Sequence, residues 1–144
     1  YFVEYESAPV GFQQQPASGS ACTSGAVDFA VVAAGAGMLT YQWQIQTAPG
    51  VWNGIGNDPL PLGCGGFAWA HPPGAAMTRI GISPCAGTTA YQIRCRVGNG
   101  CATAFSNEAT YTICYANCDC STTAPTLNVL DFSCFLNSFA AGCP

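Results

Sequence analysis

The strongest constraint on the fold is a two-residue alternation that recurs along the chain between turn-forming residues. In Leu39-Thr-Tyr41-Gln-Trp43-Gln-Ile45 every second side chain is large and apolar, as a strand needs when one face meets a core and the other meets water. Val27-Asp-Phe-Ala-Val-Val alternates in the same way, and Gly35-Ala-Gly37 supplies a turn between the two runs. Met77-Thr-Arg-Ile80-Gly-Ile82 makes a third strand. Tyr91-Gln-Ile93-Arg-Cys95-Arg-Val97, the turn Gly98-Asn-Gly100 and the run Ala102–Ile113 make a hairpin. Strands at this spacing predict an all-β chain folded as a sandwich. The Gly/Pro-rich passage from Pro49 to Pro73 reads as a long loop-like insertion between them.

Charge and cysteine content narrow the setting. Ten cysteines accompany only three basic residues, seven acids and a net charge of −4. With one histidine and no paired Cys-x₂-Cys modules at finger spacing, zinc is a poor account of the cysteines. They read instead as a disulfide framework made outside the cytosol, which predicts a secreted, extracellular or cell-surface protein. The absence of lysine and of any basic stripe excludes nucleic acid as a partner. No apolar run reaches spanning length, and Val27–Ala36 is short and carries Asp28, so the chain is not membrane-spanning. The first residues show no signal-peptide pattern, which predicts a mature, processed chain. At 49% hydrophobic and 7% charged residues, either a dense core or surfaces covered by other subunits is expected, with the second contributing.

The order of a Tyr-Gln-Trp-Gln strand, a Met-Thr-Arg-Ile-Gly-Ile strand, an Ile-Arg-Cys-Arg-Val strand and Asn-Gly-Cys resembles a bacterial immunoglobulin-like domain. The resemblance implies that Trp43 is the buried core tryptophan and Cys95 the cysteine of the penultimate strand. Val27 and Phe29 stand where its partner cysteine would be, so Cys95 takes another partner or stays a free buried thiol. The division expected is a lead segment over residues 1–20, with a possible donor strand, a sandwich over 21–115 and a tail over 116–144.

The tail resembles a single dockerin-like repeat of the kind found at the ends of secreted planctomycete-type proteins. Asn117-Cys118-Asp119 opens it, Leu127-Asn-Val-Leu-Asp-Phe-Ser-Cys-Phe135 forms its core, and Gly142-Cys143-Pro144 closes it. Cys120 replaces the usual loop glycine, extra residues within Thr122–Thr126 lengthen the loop, and the second repeat of a dockerin is missing. The resemblance implies calcium as a possible cofactor, held by Asn117, Asp119, Ser121, Asn128 and Asp131 with the Thr123 carbonyl. Against it, Asn117 and Asp119 serve turns and Asp131 caps a helix over Phe132–Ala140.

Six cysteines fall in the sandwich (Cys22, Cys64, Cys85, Cys95, Cys101, Cys114) and four in the tail (Cys118, Cys120, Cys134, Cys143). First and last strands lie side by side in such sandwiches, which suggests Cys22–Cys101. Projecting the hairpin register backwards places Cys114 near the loop bearing Cys85 and leaves Cys64 for Cys95. In the tail Cys118–Cys134 and Cys120–Cys143 are expected.

Nothing points to catalysis. His71, followed by Pro72 and Pro73, pairs with no nucleophile by any local signature and reads as an exposed loop histidine, and the acids are scattered. Three features suggest interaction instead. Val129, Phe132, Phe135/Leu136 and Phe139 form one apolar helical stripe, which needs cover from the sandwich, another copy or another protein. Tyr1, Phe2, Val3 and Tyr5 lie in an alternating segment that suits strand addition to a neighbour. Trp52, Phe67 and Trp69 suit a sugar-stacking platform, an interface patch or a small core under a loop.

The leading expectation is therefore a non-catalytic extracellular structural subunit that joins copies of itself head-to-tail through its terminal segments into a fibre or surface layer. The alternatives are a dockerin-type module anchoring to a cohesin-like partner with calcium, and a carbohydrate-binding module using Trp52 and Trp69 on a cell-surface polysaccharide. No Asn-x-Ser/Thr sequon occurs.

Overall fold

The computed structural model describes residues 9–21, 25–85, 87–113 and 128–140. Twelve strands and one helix follow in order: β1 (Gly11–Gln14), β2 (Gly19–Ala21), β3 (Ala26–Ala30), β4 (Val32–Ala34), β5 (Thr40–Ala48), β6 (Val51–Gly54), β7 (Leu60–Pro61), β8 (Phe67–His71), β9 (Met77–Ser83), β10 (Ala90–Gly98), β11 (Thr103–Phe105), β12 (Ala109–Ile113) and α1 (Val129–Ala140). The chain is a mainly-β sandwich, as its alternation predicts.

One sheet runs β2-β12-β10-β5-β6, with β11 also on β10; the other runs β3-β9-β8-β7, and β1 pairs with β4 separately. β2 is parallel to β12, while the remaining ladders are antiparallel. This is the strand order of an immunoglobulin-like sandwich, with β12-β10-β5 in one layer and β3-β9-β8 in the other. β1 and β2 lie within the first twenty-one residues and pair with β4 and β12.

The inner faces carry the alternating apolar residues. Phe29, Trp43, Ile45, Ile80, Ile93, Cys95, Val97 and Tyr111 are all fully buried. Phe29 lies 6.1 Å from Trp43 and 6.3 Å from Tyr111 between ring centroids, filling with aromatic volume the place a second cysteine would occupy. Trp43 donates its indole N–H to the Ala75 carbonyl and Tyr111 its hydroxyl to the Gly25 carbonyl, so the polar atoms of both rings are satisfied in the core. The Thr78 hydroxyl is the exception, buried without a partner among the described residues.

The hairpin turn is built from Asn99, whose Oδ1 accepts from the Cys101 and Ala102 N–H groups, with Gly100 at φ +89°. The returning strand then breaks into β11 and β12 because Ser106 turns inward. Its N–H donates to the Cys95 carbonyl and its hydroxyl accepts from the Cys95 N–H, each at 2.8 Å.

Several expectations need correction. The passage Pro49–Pro73 is not an open loop: it forms β6, β7 and β8, and β8 pairs with β9 along its whole length. His71 accordingly ends a strand, exposed, with Nδ1 2.8 Å from Asn57 Oδ1. The helix starts at Val129, three residues earlier than Phe132.

The cysteine pairing also differs. Cys64 bonds to Cys85 with Cα atoms 5.5 Å apart, while Cys95 and Cys101 are free thiols. The register explains this. Phe67 opposes Ser83, so the β7–β8 turn that carries Cys64 lies beside the exit of β9. Cys95 points into the core opposite Trp43, away from both turns. Because β2 runs parallel to β12, Ala21 ends beside Ile113, whereas Cys101 tips the hairpin after Gly98, at the other end of β10. Cys22–Cys101, Cys64–Cys95 and Cys85–Cys114 are thus not formed.

Candidate functional site

Three surfaces carry the residues singled out in the sequence. The first is α1. Asn128 is its N-cap: its Oδ1 accepts the Leu130 N–H at 2.7 Å, and its carbonyl accepts the Phe132 N–H. Asp131 reaches back from the third helical position to accept the Asn128 N–H at 2.8 Å. This reciprocal pair is a capping box, and it buries Asp131 to 3% exposure. Cys134, in the middle of the helix, is disulfide-bonded.

Several described apolar side chains of this helix are exposed. Val129 is 78% exposed, Phe132 62%, Phe135 48% and Leu136 46%. Leu130 joins them on the surface. Among the described residues, Val129, Phe132 and Leu136 of the stripe that the periodicity predicted stay largely exposed.

The second surface is the outer face of the six-stranded sheet. Since Trp43, Ile45, Ile93 and Cys95 point inward, Gln42, Gln44, Gln46, Arg94 and Arg96 point outward. Trp52 pairs with Gln46 and Phe105 with Arg96, which puts both rings on this face. The Arg94 guanidinium carbon lies 4.2 Å from the Trp52 ring centroid and 4.1 Å from that of Phe105. Its Nε–H donates to Gln44 Oε1 at 2.8 Å. Partial burial between the rings pulls the Arg94 pKa below the usual arginine value, against the attraction of Glu108. It remains a cation at any physiological pH.

The third surface is the outer face of the four-stranded sheet, with Phe67, Trp69 and His71 on β8 and Met77, Arg79 and Gly81 on β9. Arg79 donates to both carboxylate oxygens of Asp28, at 2.8 and 3.2 Å. The paired guanidinium holds the Asp28 carboxyl below its ordinary range, and Asp28 raises Arg79 in turn. Both side chains are more than half exposed, so the pair contributes little to stability.

The platform expected from Trp52 and Trp69 is therefore not one surface: the rings lie on opposite outer faces. Phe67 and Trp69 do share a face. Of the calcium-ligand set, Asn128 and Asp131 come together at the cap, while Asn117, Asp119, Ser121 and Thr123 lie outside the described residues. So do Tyr1, Phe2, Val3 and Tyr5, the cysteines at 22, 114, 118, 120 and 143, and the side chain of Phe139. Among the described residues no group of three or more His, Cys, Asp or Glu converges as a metal site would, and no helix is long and apolar enough to cross a membrane.

The Arg94 assembly was missed in the sequence. The alternation of Ile93-Arg-Cys-Arg-Val already places Arg94 and Arg96 outward beside Gln42 and Gln44, but its two rings come from strands that only the sheet order brings near.

No family model and no curated protein matches the chain. Among solved structures it is similar to a chimeric titin Z1Z2 functionalized with a KLER exogenous peptide from decorin, at a TM-score of 0.47 and 15% identity, over 76% of this chain and 98% of that one.

Proposed function

We propose that this chain is a non-catalytic, extracellular structural subunit whose C-terminal helix docks on a further copy of itself. The observation that carries the reading is the outward placement of Val129, Leu130, Phe132 and Leu136 on a helix fixed by a capping box and a disulfide at Cys134. A helix held this firmly, yet left with large apolar side chains in water, is poised for cover rather than for flexibility. Burying each of them is worth about 1.5–3 kcal/mol.

The same chain offers a different apolar surface to receive it. Phe67 and Met77 are exposed on the outer face of the four-stranded sheet, with Val32 just beyond β3 and Trp69 half-buried between. Helix stripe against sheet face is a heterologous contact, which propagates into open filaments when the rotation does not close. With only 7% charged residues, copies meet little electrostatic resistance. The disulfides at Cys64–Cys85 and Cys134 support a setting outside the cytosol.

Size-exclusion chromatography with light scattering on the full chain tests the reading. Species larger than the monomer are expected at micromolar protein, with filaments by electron microscopy. Phe132→Asp with Leu136→Asp should return the chain to a folded monomer, because both side chains face water in the single subunit. A wild-type chain that stays monomeric at micromolar concentration overturns the proposal.

A further inference from the structure

Self-association through α1 leaves unused the outer face of the six-stranded sheet. There Arg94 is a cation already held in place. Trp52 on β6 and Phe105 on β11 come from strands on opposite sides of β10 and flank the guanidinium, while Gln44 takes its Nε–H. Its Nη groups, the remaining four N–H donors of the fork, have no hydrogen-bond partner among the described residues. Glu108 lies near enough to attract the charge but forms no ion pair with it. A planar guanidinium with its rotamer fixed and its outer donors open matches the two oxygens of a carboxylate.

The surroundings say what bears that carboxylate. Phe105 is half exposed and Trp52 partly so, leaving ring surface for the apolar side of a sugar to stack on. Gln44, Gln46, Gln92 and Thr110 spread neutral amides and a hydroxyl over the same face, a texture suited to a hydroxyl-rich ligand. Arg96 stands two residues further along β10, roughly 7 Å away at the rise of a strand. It lines a groove of about 440 Å³ with Thr40, Gln42 and Thr103. A second cation in line with the first suits an acid that repeats.

We propose that this face binds a polyuronate, a linear polysaccharide carrying a carboxylate on each sugar, with Arg94 taking one carboxylate bidentately and Arg96 a later one. The net charge of −4 opposes an acidic polymer only at long range, because about 0.15 M salt screens charges beyond roughly 8 Å.

Calorimetric titration of the full chain with galacturonate oligomers at that ionic strength tests it. Saturable binding is expected. Arg94→Lys, which keeps the charge and loses the fork, should weaken it by about tenfold or more. Glu108→Gln, which removes the carboxylate that attracts Arg94 among the described residues without touching the stacked rings, should strengthen it. Arg79→Gln, on the opposite sheet, should change nothing. The proposal is overturned if the wild type does not bind, if Arg94→Lys binds as well as wild type, or if Arg79→Gln is equally damaging. Equal affinity for the methyl-esterified oligomers would make the ligand a neutral glycan, and Arg94-dependent binding of poly-L-glutamate would make it an acidic peptide; either result also overturns it.

Discussion

The indole of Trp69 occupies the space that a Cβ on Gly81 would fill. The two are cross-strand partners on β8 and β9, and Gly81 is buried beneath the ring. A glycine in mid-strand weakens the strand by itself, so its place here is set by close approach: only a hydrogen fits under the indole.

Gly81→Ala should therefore destabilise the fold despite alanine's better backbone entropy, by about 1–3 kcal/mol as overpacking does. Trp69→Ala alone loses the ring's packing. The double variant should be less unstable than the sum of the two, since the added methyl then has room. Urea unfolding of the four proteins measures that coupling. Additive losses would show that the ring does not rest on Gly81.

The Cys64–Cys85 bridge closes a separation of 21 residues and ties the β7–β8 turn to the exit of β9. Loop-closure entropy for that span predicts that Cys64→Ala with Cys85→Ala costs about 3 kcal/mol. Gly66 in the same turn packs against the Ser83 carbonyl with no room for a Cβ, so the turn keeps its seat on β9 without the bridge. The double variant should thus fold and unfold cooperatively at a lower denaturant midpoint, not lose β7 and β8.

Asn128→Ala and Asp131→Ala each remove one half of the capping box, and each should cost about 1 kcal/mol of helix stability. Asp131→Asn keeps an oxygen acceptor and should retain most of it. Near-equal losses in amide exchange protection across α1 for the two alanine variants, spared in Asp131→Asn, would support the cap.

What the sequence displayed well was whatever a single strand settles alone. Trp43, Ile45, Ile93, Cys95 and Val97 alternate, and alternation is decided by which neighbour is apolar, so the core was legible. The passage over β6–β8 was not, because short runs broken by Pro and Gly become strands only when a long neighbour such as β9 offers its ladder. The bridges depended on which end of the sandwich each turn occupies, and the parallel seat of β2 on β12 decided that. The Arg94 assembly draws on β5, β6, β10 and β11 at once, and no local pattern joins them. The helix stripe was visible from its period, but only the fold shows it turned toward solvent.

Cys95 makes the last prediction, through pH. Its thiol is fully buried opposite Trp43, and the loss of water pushes its pKa up from 9.0 to about 12. A proton that the folded state holds more tightly than the unfolded chain stabilises the fold below the unfolded pKa and ceases to do so as pH climbs toward the folded one. Between pH 9 and 12, stability should fall by up to about 1.4 kcal/mol per unit from this one group. Tyr111, also raised by burial, adds to the loss at the alkaline end. Cys95→Ala should cost stability at neutral pH through its cavity yet flatten the decline above pH 9. At neutral pH the same burial keeps Cys95 silent toward thiol reagents while the exposed Cys101 reacts. Equal labelling of both in the folded chain, or a wild-type stability unchanged from pH 9 to 11, would place the Cys95 sulfur outside the core.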